Sequence, residues 1–434
     1  MGSRIGMAIG AALALAAAVG VTAQEPLARP SVDSPELAAL GAYPVGIADA
    51  AFDQPGQIDL RPDAPAGARA NRHLPLMIWY PAAAPGAGIT YRTALSGEDG
   101  VDVPFDLPGI ATRGAAAARG RFPLVILAHG YGNTPAVLSW LGENLASKGY
   151  VVVAPAFGDP AISLRTAAAR AGPIARRPLD IAFVAREAQR RARAGMGVFA
   201  AADADRTALI GYSMGGYGVL TAAGAPIDPA LAGLTRGALA PYVAGGAQSA
   251  ALKVANLKAV VAISPANRFG DTPIWSGDGI AAVTTPTLFV VGSQDHVVGY
   301  DGVRALFDGA VHAPRYLLTF KEAGHSIALV GAPPAMRRRF WDLDWFEDAV
   351  WRKDRLLPVE AHFITAFLDR HVKGDASRDA YLDGLVADSD SGRWATAPIG
   401  RYAGYSPGPP AATTWKGFQP SRATGMMFET KPAR

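Results

Sequence analysis

An α/β fold with a mostly parallel central sheet flanked by helices is what this chain predicts, and three observations carry it. Continuous apolar runs of strand length, such as Phe122-Pro123-Leu124-Val125-Ile126-Leu127-Ala128, have the pattern of strands covered on both faces. These runs alternate with segments of helical spacing, the arrangement of crossover units. Half of the 434 residues are apolar, enough to bury a large core, and we expect one enlarged domain over residues 43–374.

The chain opens with Arg4, an uncharged run rich in Ala, Leu, Val and Gly, and then Val21-Thr22-Ala23. This is the n-region, h-region and small-residue cleavage site of a secretory signal peptide, with cleavage expected after Ala23. As a membrane anchor the run is short, and it ends in a processing-type tripeptide. The mature protein is therefore expected in the periplasm or outside the cell, with no stable membrane insertion. Residues 24–42 form a Pro- and Ala-rich lead-in.

Strands are predicted at Leu74–Tyr80, Phe122–Ala128 and Tyr150–Ala154, with a Gly-, Ala- and Pro-rich excursion from the core between about 82 and 120. A helix follows from Pro135 to Gly149, and another runs from Arg177 to about Arg193. The strand Thr207–Ile210 leads to Ser213, and a helix from Met214 to about Ala223 follows it. Later strands are Ala259–Ile263, Thr287–Val291 and Tyr316–Phe320, and the last strong helix covers about Pro358 to Val372. Cap-like insertions are expected at about 226–251 and 333–355, and the tail after Gly374 as a C-terminal extension strapped on the surface.

Composition excludes several functions. There is no cysteine, so thiol nucleophiles, disulfides and cysteine-ligated metals are ruled out. Net charge is +4, or +3 without Arg4, because residues 1 to 23 hold no acid; this is too weak and scattered for nucleic acid. Arg337-Arg338-Arg339 is expected on a solvated helix face. His73, His312, His362 and His371 show no metal-like spacing with carboxylates, so no metal site is expected.

Gly211-Tyr212-Ser213-Met214-Gly215-Gly216 carries the chemistry. It has the G-x-S-x-G pattern of a nucleophile elbow, where a serine stands on a strained strand-to-helix turn and only glycine fits at Gly211 and Gly215. Asp295 follows the Thr287 strand and His325 follows the Tyr316 strand, giving the chain order Ser, Asp, His. His325 would take the serine proton, and Asp295 would orient the imidazole. Asp301 and Asp271 are weaker candidates for the acid because neither directly follows a strand, and His296 is read as a loop histidine beside Asp295. Backbone N–H groups of Met214 and Tyr131 are the oxyanion donors expected, with His129, Gly130 and Gly132 supporting the loop and His129 ordering it by hydrogen bonding.

With these residues in place the chain resembles the α/β-hydrolase superfamily. It is similar to bacterial secreted esterases related to platelet-activating-factor acetylhydrolase and dienelactone hydrolase, through Tyr43-Pro44-Val45-Gly46, Trp79-Tyr80-Pro81, His129-Gly130-Tyr131-Gly132, Arg177 with Asp180, and Asp205-Arg206 ahead of the elbow. The resemblance implies cofactor-free esterase chemistry on a small-molecule or polymeric ester. Dienelactone hydrolases use a cysteine nucleophile, so their substrate does not carry over. Gly130-Tyr131 and Ser213-Met214-Gly215-Gly216 are also similar to segments of secreted cutinases and polyester hydrolases, but the tryptophan those enzymes carry after the next strand is replaced by Ser264-Pro265-Ala266-Asn267.

Tyr212, Trp341 and Trp345 are candidate pocket residues, and the aromatic run that also holds Phe340, Phe346 and Trp351 is divided between a pocket cap and structural anchors. The function expected is hydrolysis of carboxylic esters through an acyl-enzyme. Lipase or polyester hydrolase activity, amide hydrolysis, and binding without catalysis on the same scaffold are the alternatives.

Overall fold

A computed structural model describes residues 31–164, 166–393, 415–419 and 421–434. The signal-peptide segment and the stretch Pro407–Pro410 lie outside the described residues.

In chain order the strands and helices are β1 (Val45–Ile58), β2 (Arg69–Pro81), β3 (Ile89–Ser96), β4 (Asp102–Gly109), β5 (Thr112–Arg113), β6 (Phe122–Ala128), α1 (Ser139–Ser147), β7 (Val151–Pro155), α2 (Ala167–Arg193), β8 (Ala202–Tyr212) and α3 (Met214–Ala222). They continue with β9 (Leu257–Ile263), β10 (Arg268–Phe269), β11 (Thr272–Pro273), β12 (Thr287–Gly292), α4 (Tyr300–Gly309), β13 (Arg315–Phe320), α5 (Phe340–Phe346), α6 (Lys353–His371), α7 (Asp379–Leu382) and β14 (Met426–Lys431). Ten strands form one sheet in the order β14-β13-β12-β9-β8-β6-β7-β2-β1-β5. From β13 to β7 every pair is parallel, whereas β2 joins β7, β1 joins β2 and β14 joins β13 antiparallel.

Period-2 alternation sorts the strand residues onto two cores. Val125 and Leu127 point into one core with Trp140 and Phe363, and Leu124 and Ile126 into the other with Ile181 and Leu220. Both faces of the central strands are covered by helices, which explains why these strands read as unbroken apolar runs.

Four expectations are corrected. The helix read from Arg177 begins ten residues earlier, at Ala167, capped by the Thr166 hydroxyl, and it contains Pro173 and Pro178. Proline removes a helical donor and so reads as a boundary, but here tertiary packing overrides it. A Cβ on Gly218 of α3 would lie 2.5 Å from Ile181 of α2, so the two helices are in close contact. Residues 89–109 are not an excursion but the β3–β4 hairpin, which buries Tyr91, Leu95, Phe105 and Leu107. Pro104 and Pro108 hid this hairpin, because proline is tolerated where a strand edge needs no donor. Arg337, Arg338 and Arg339 are solvent-exposed as expected, but they lie on a single 3-10 turn (Pro334–Arg337) and the link to α5 and not on a longer helix face, with Arg337 pairing to Glu347 at 2.8 Å and Arg339 to Asp99 at 2.7 Å.

The fourth correction concerns the tail, which is not a surface strap. Its end, β14, is the edge strand of the central sheet, Trp415 and Phe418 are buried, and Phe428 stacks on Phe363 with ring centroids 4.6 Å apart. Phe428→Ala is accordingly expected to lower stability by about 3–5 kcal/mol, measured as a fall in the urea midpoint. An unchanged midpoint would show that the tail is dispensable to the core.

Among the described residues no helix is long and apolar enough to cross a membrane, and no group of three or more His, Asp or Glu is placed to hold a metal.

Candidate active site

β8 ends at Tyr212 and α3 begins at Met214, leaving Ser213 alone on the turn at φ 54° and ψ −116°. A side chain at positive φ is strained, and such strain persists only where the surroundings enforce it. Here the Ser213 N–H donates to Ile263 O at 2.8 Å, and its carbonyl accepts from Ala266 and Tyr217 at 3.0 and 3.2 Å. The flanking glycines are sterically required: a Cβ on Gly211 would stand 2.3 Å from Gly215 O, and one on Gly215 would stand 2.2 Å from Ala128 O.

The neighbouring strand ends supply the other two groups. His325 Nε2 lies 3.0 Å from Ser213 Oγ, and its Nδ1 lies 2.8 Å from Asp295 Oδ2. Asp295 is buried, and its Oδ1 accepts the N–H groups of Val297 and Val298 at 3.0 and 3.1 Å. Burial pushes this carboxyl up, but the hydrogen bond and charge of His325 together with the Val298 N–H outweigh it and hold it below the usual carboxylate range. An ionised Asp295 accepts from Nδ1–H, which leaves the Nε2 lone pair facing the serine.

The histidine loop is fastened by groups that local sequence does not announce. Tyr212 OH donates to His325 O at 3.1 Å, and the two rings lie 5.2 Å apart. Asp348 accepts the Gly324 N–H at 2.7 Å through one oxygen and the N–H groups of Val350 and Trp351 through the other, and Lys353 Nζ donates to Ser326 O. No motif marks Asp348 or Lys353 as fasteners of the histidine loop, since the loop atoms they hold, Gly324 N–H and Ser326 O, are backbone atoms 24 and 27 residues away. His296 is exposed at the cavity, and Asp271 and Asp301 are exposed elsewhere.

The loop after β6 abuts the elbow: a Cβ on Gly130 would lie 3.2 Å from the Ser213 Cβ. Met214, as the first residue of α3, has an N–H without an intrahelical acceptor, at the positive end of the helix. His129 is buried, accepts from Phe157 N through Nε2 at 3.2 Å and bonds Gly130 O through Nδ1 at 2.7 Å. Burial, reinforced by the Arg177 charge, depresses its pKa to about 3, so the ring is neutral. Gly132, at φ 65°, donates its N–H to Asp159 Oδ2 at 3.0 Å.

A cavity of about 560 Å³ opens over Ser213, lined by Tyr131, Tyr212, His325, Trp341 and Trp345. The structure divides the aromatic run. Trp341 and Trp345 stack at 5.3 Å with 28° between planes, and Trp345 Nε1 donates to Asn133 Oδ1 at 3.0 Å. Phe346 and Trp351 are buried anchors, packed edge-on against Phe105 and Phe320 respectively, and Phe340 is 83% exposed.

A mainly parallel sheet with a serine elbow at one strand end, and Asp and His beyond two neighbouring strand ends, defines the α/β-hydrolase class. Residues 112–234 match the family model described as PETase, PET hydrolase-like. That segment contains the Tyr131 loop and the Ser213 elbow; Asp295 and His325 lie beyond it. Among solved structures, a ferulic acid esterase from Streptomyces cinnamoneus is similar, with TM-score 0.51 and 19% identity over 81% of this chain and 94% of that one, a likeness of fold. A search of curated proteins found no match.

Proposed function

We propose that the protein is an exported serine esterase that cleaves carboxylic esters through an acyl-enzyme. The carrying observation is the unbroken chain Ser213–His325–Asp295, at 3.0 and 2.8 Å, in an aromatic-lined cavity. Export rests on the signal-type segment 1–23, which points to the periplasm or the medium.

In the first step His325 Nε2 takes the Ser213 proton as Oγ bonds to the ester carbonyl carbon, and the Met214 and Tyr131 N–H groups receive the oxyanion. The imidazolium then protonates the departing alkoxide as the C–O bond breaks. Water, deprotonated by the same nitrogen, attacks the acyl-enzyme; collapse releases the acid, and the proton returns to Ser213. Asp295 stays ionised and stabilises the imidazolium throughout.

The Trp341–Trp345 stack supports an ester with an aromatic acyl group, and the PET hydrolase-like match over residues 112–234 supports the same reading. The segment Ser264-Pro265-Ala266-Asn267 after β9 carries no tryptophan, so Trp341 and Trp345 of α5 would provide the aromatic wall of the cavity. Trp345→Ala is expected to lower kcat/KM for ethyl benzoate about tenfold, roughly 1.4 kcal/mol, while leaving ethyl butyrate within about twofold. Equal losses on both esters would remove the aromatic-subsite assignment. An ester panel that includes a polyester film, scored for soluble products, tests polymer acceptance.

A further inference from the structure

The Tyr131 loop is held from behind by a buried ion pair that the reaction steps above do not use. The side chain of Arg177, on α2, is fully buried and forks onto Asp159, with Nη1 to Oδ1 at 3.0 Å and Nη2 to Oδ2 at 2.6 Å. Its guanidinium carbon lies 3.9 Å from the centre of the Phe157 ring. Arg177 Nη2 also donates to Gly130 O at 3.0 Å, and Asp159 Oδ2 accepts the Gly132 N–H at 3.0 Å. The backbone on both sides of Tyr131 is therefore tied to one pair.

The Gly130 oxygen takes a second bond, from His129 Nδ1 at 2.7 Å. The His129 tautomer follows from its partners: Nε2 accepts from Phe157 N, so Nδ1 carries the hydrogen and donates. Gly130 C=O and Tyr131 N–H belong to the same peptide unit. In a planar trans peptide they point in opposite directions, so fixing the oxygen aims the N–H. A cationic donor on the oxygen also draws electron density from the amide, which strengthens the N–H as a donor on the far side.

We propose that Arg177, clamped by Asp159 and assisted by His129, is a positioning residue that aims and polarises the Tyr131 N–H at the oxyanion of the acyl-transfer transition state. This rests on the oxyanion role given to Tyr131 under the proposed function. A structural staple alone would make a different demand: buried ion pairs are often replaceable by apolar pairs without loss of stability, so nothing about α2 packing requires a charge here. The neighbouring Asp180 does not compete for Arg177, because it pairs with Arg72 at 2.7 Å.

Two variants test the proposal. Arg177→Lys keeps the charge and loses the fork, and the double variant Arg177→Met, Asp159→Asn removes both charges and leaves neither buried alone. Steady-state kinetics on ethyl butyrate would be normalised to sites counted by the endpoint of fluorophosphonate labelling, with thermal midpoints recorded alongside. The binding of a trifluoromethyl ketone analogue would be measured in parallel. In the double variant kcat per titrated site is expected to fall about 10- to 100-fold with KM within about twofold, and analogue affinity to fall in step. Arg177→Lys is expected to retain part of the lost rate, and it decides the question by itself if the double variant does not fold. Unchanged kcat per titrated site with only a lowered midpoint would overturn the proposal. Wild-type protein that neither hydrolyses esters nor takes the label would overturn the esterase reading instead, a distinct result.

Discussion

Ser213→Ala is expected to lower kcat/KM for ethyl butyrate by about 10⁵- to 10⁶-fold, because the serine, its base and the base's orienter act as a unit and lose nearly all of their effect with any one member. The loss is chemical, not structural. The strained backbone at φ 54° is held by Ile263 O, Ala266 N and Tyr217 N, all contacts to main-chain atoms that alanine retains. Unchanged circular dichroism and thermal midpoint should accompany the loss. A variant that retains more than about a hundredth of wild-type activity would require a different nucleophile.

Asp295→Asn should be nearly as severe, with kcat lower by about 10⁴-fold. The bonds to Asp295 say why. Its Oδ1 accepts two backbone N–H groups, from Val297 and Val298, so an asparagine must place its carbonyl oxygen there and turn its NH₂ toward His325. Nδ1 must then accept, Nε2 carries the hydrogen, and the base faces Ser213 in the wrong tautomer. Stability should respond to pH as well. The lowered Asp295 pKa contributes stability that is present above the unfolded value near 3.8 and is lost as pH falls through the folded value. In the Asn variant that part of the acid dependence should vanish. Wild-type rates with asparagine at 295 would contradict the assigned role.

How much the sequence discloses depends on where each partner lies. β6, β7, β9, β12 and β13 are legible because burial on both faces leaves unbroken apolar runs, and Ser213, Asp295 and His325 are legible because each stands just past one of these strands or β8. β14 is not. It is an edge strand that includes Glu429 and Lys431, and its partner β13 lies more than 100 residues earlier, so neither periodicity nor local composition marks it. The β3–β4 hairpin was hidden by its two prolines, and the start of α2 by Pro173 and Pro178. The residues that fasten the catalytic loops, Asp159, Asp348 and Lys353, bond backbone atoms of distant segments. Such contacts are specified by the fold and have no signature in the chain. Arg177 and Asp180 stand one helical turn apart in α2, yet they take different partners, Asp159 and Arg72, which no helical spacing rule anticipates.

The central claim is that Ser213 forms the covalent intermediate. Labelling the purified protein with a fluorophosphonate and mapping the adduct by peptide mass spectrometry tests it most directly. The account predicts one adduct per chain, on Ser213, formed in step with loss of ester hydrolysis and absent from Ser213→Ala. An adduct on another residue, or full hydrolytic activity in protein whose Ser213 is completely labelled, would contradict it.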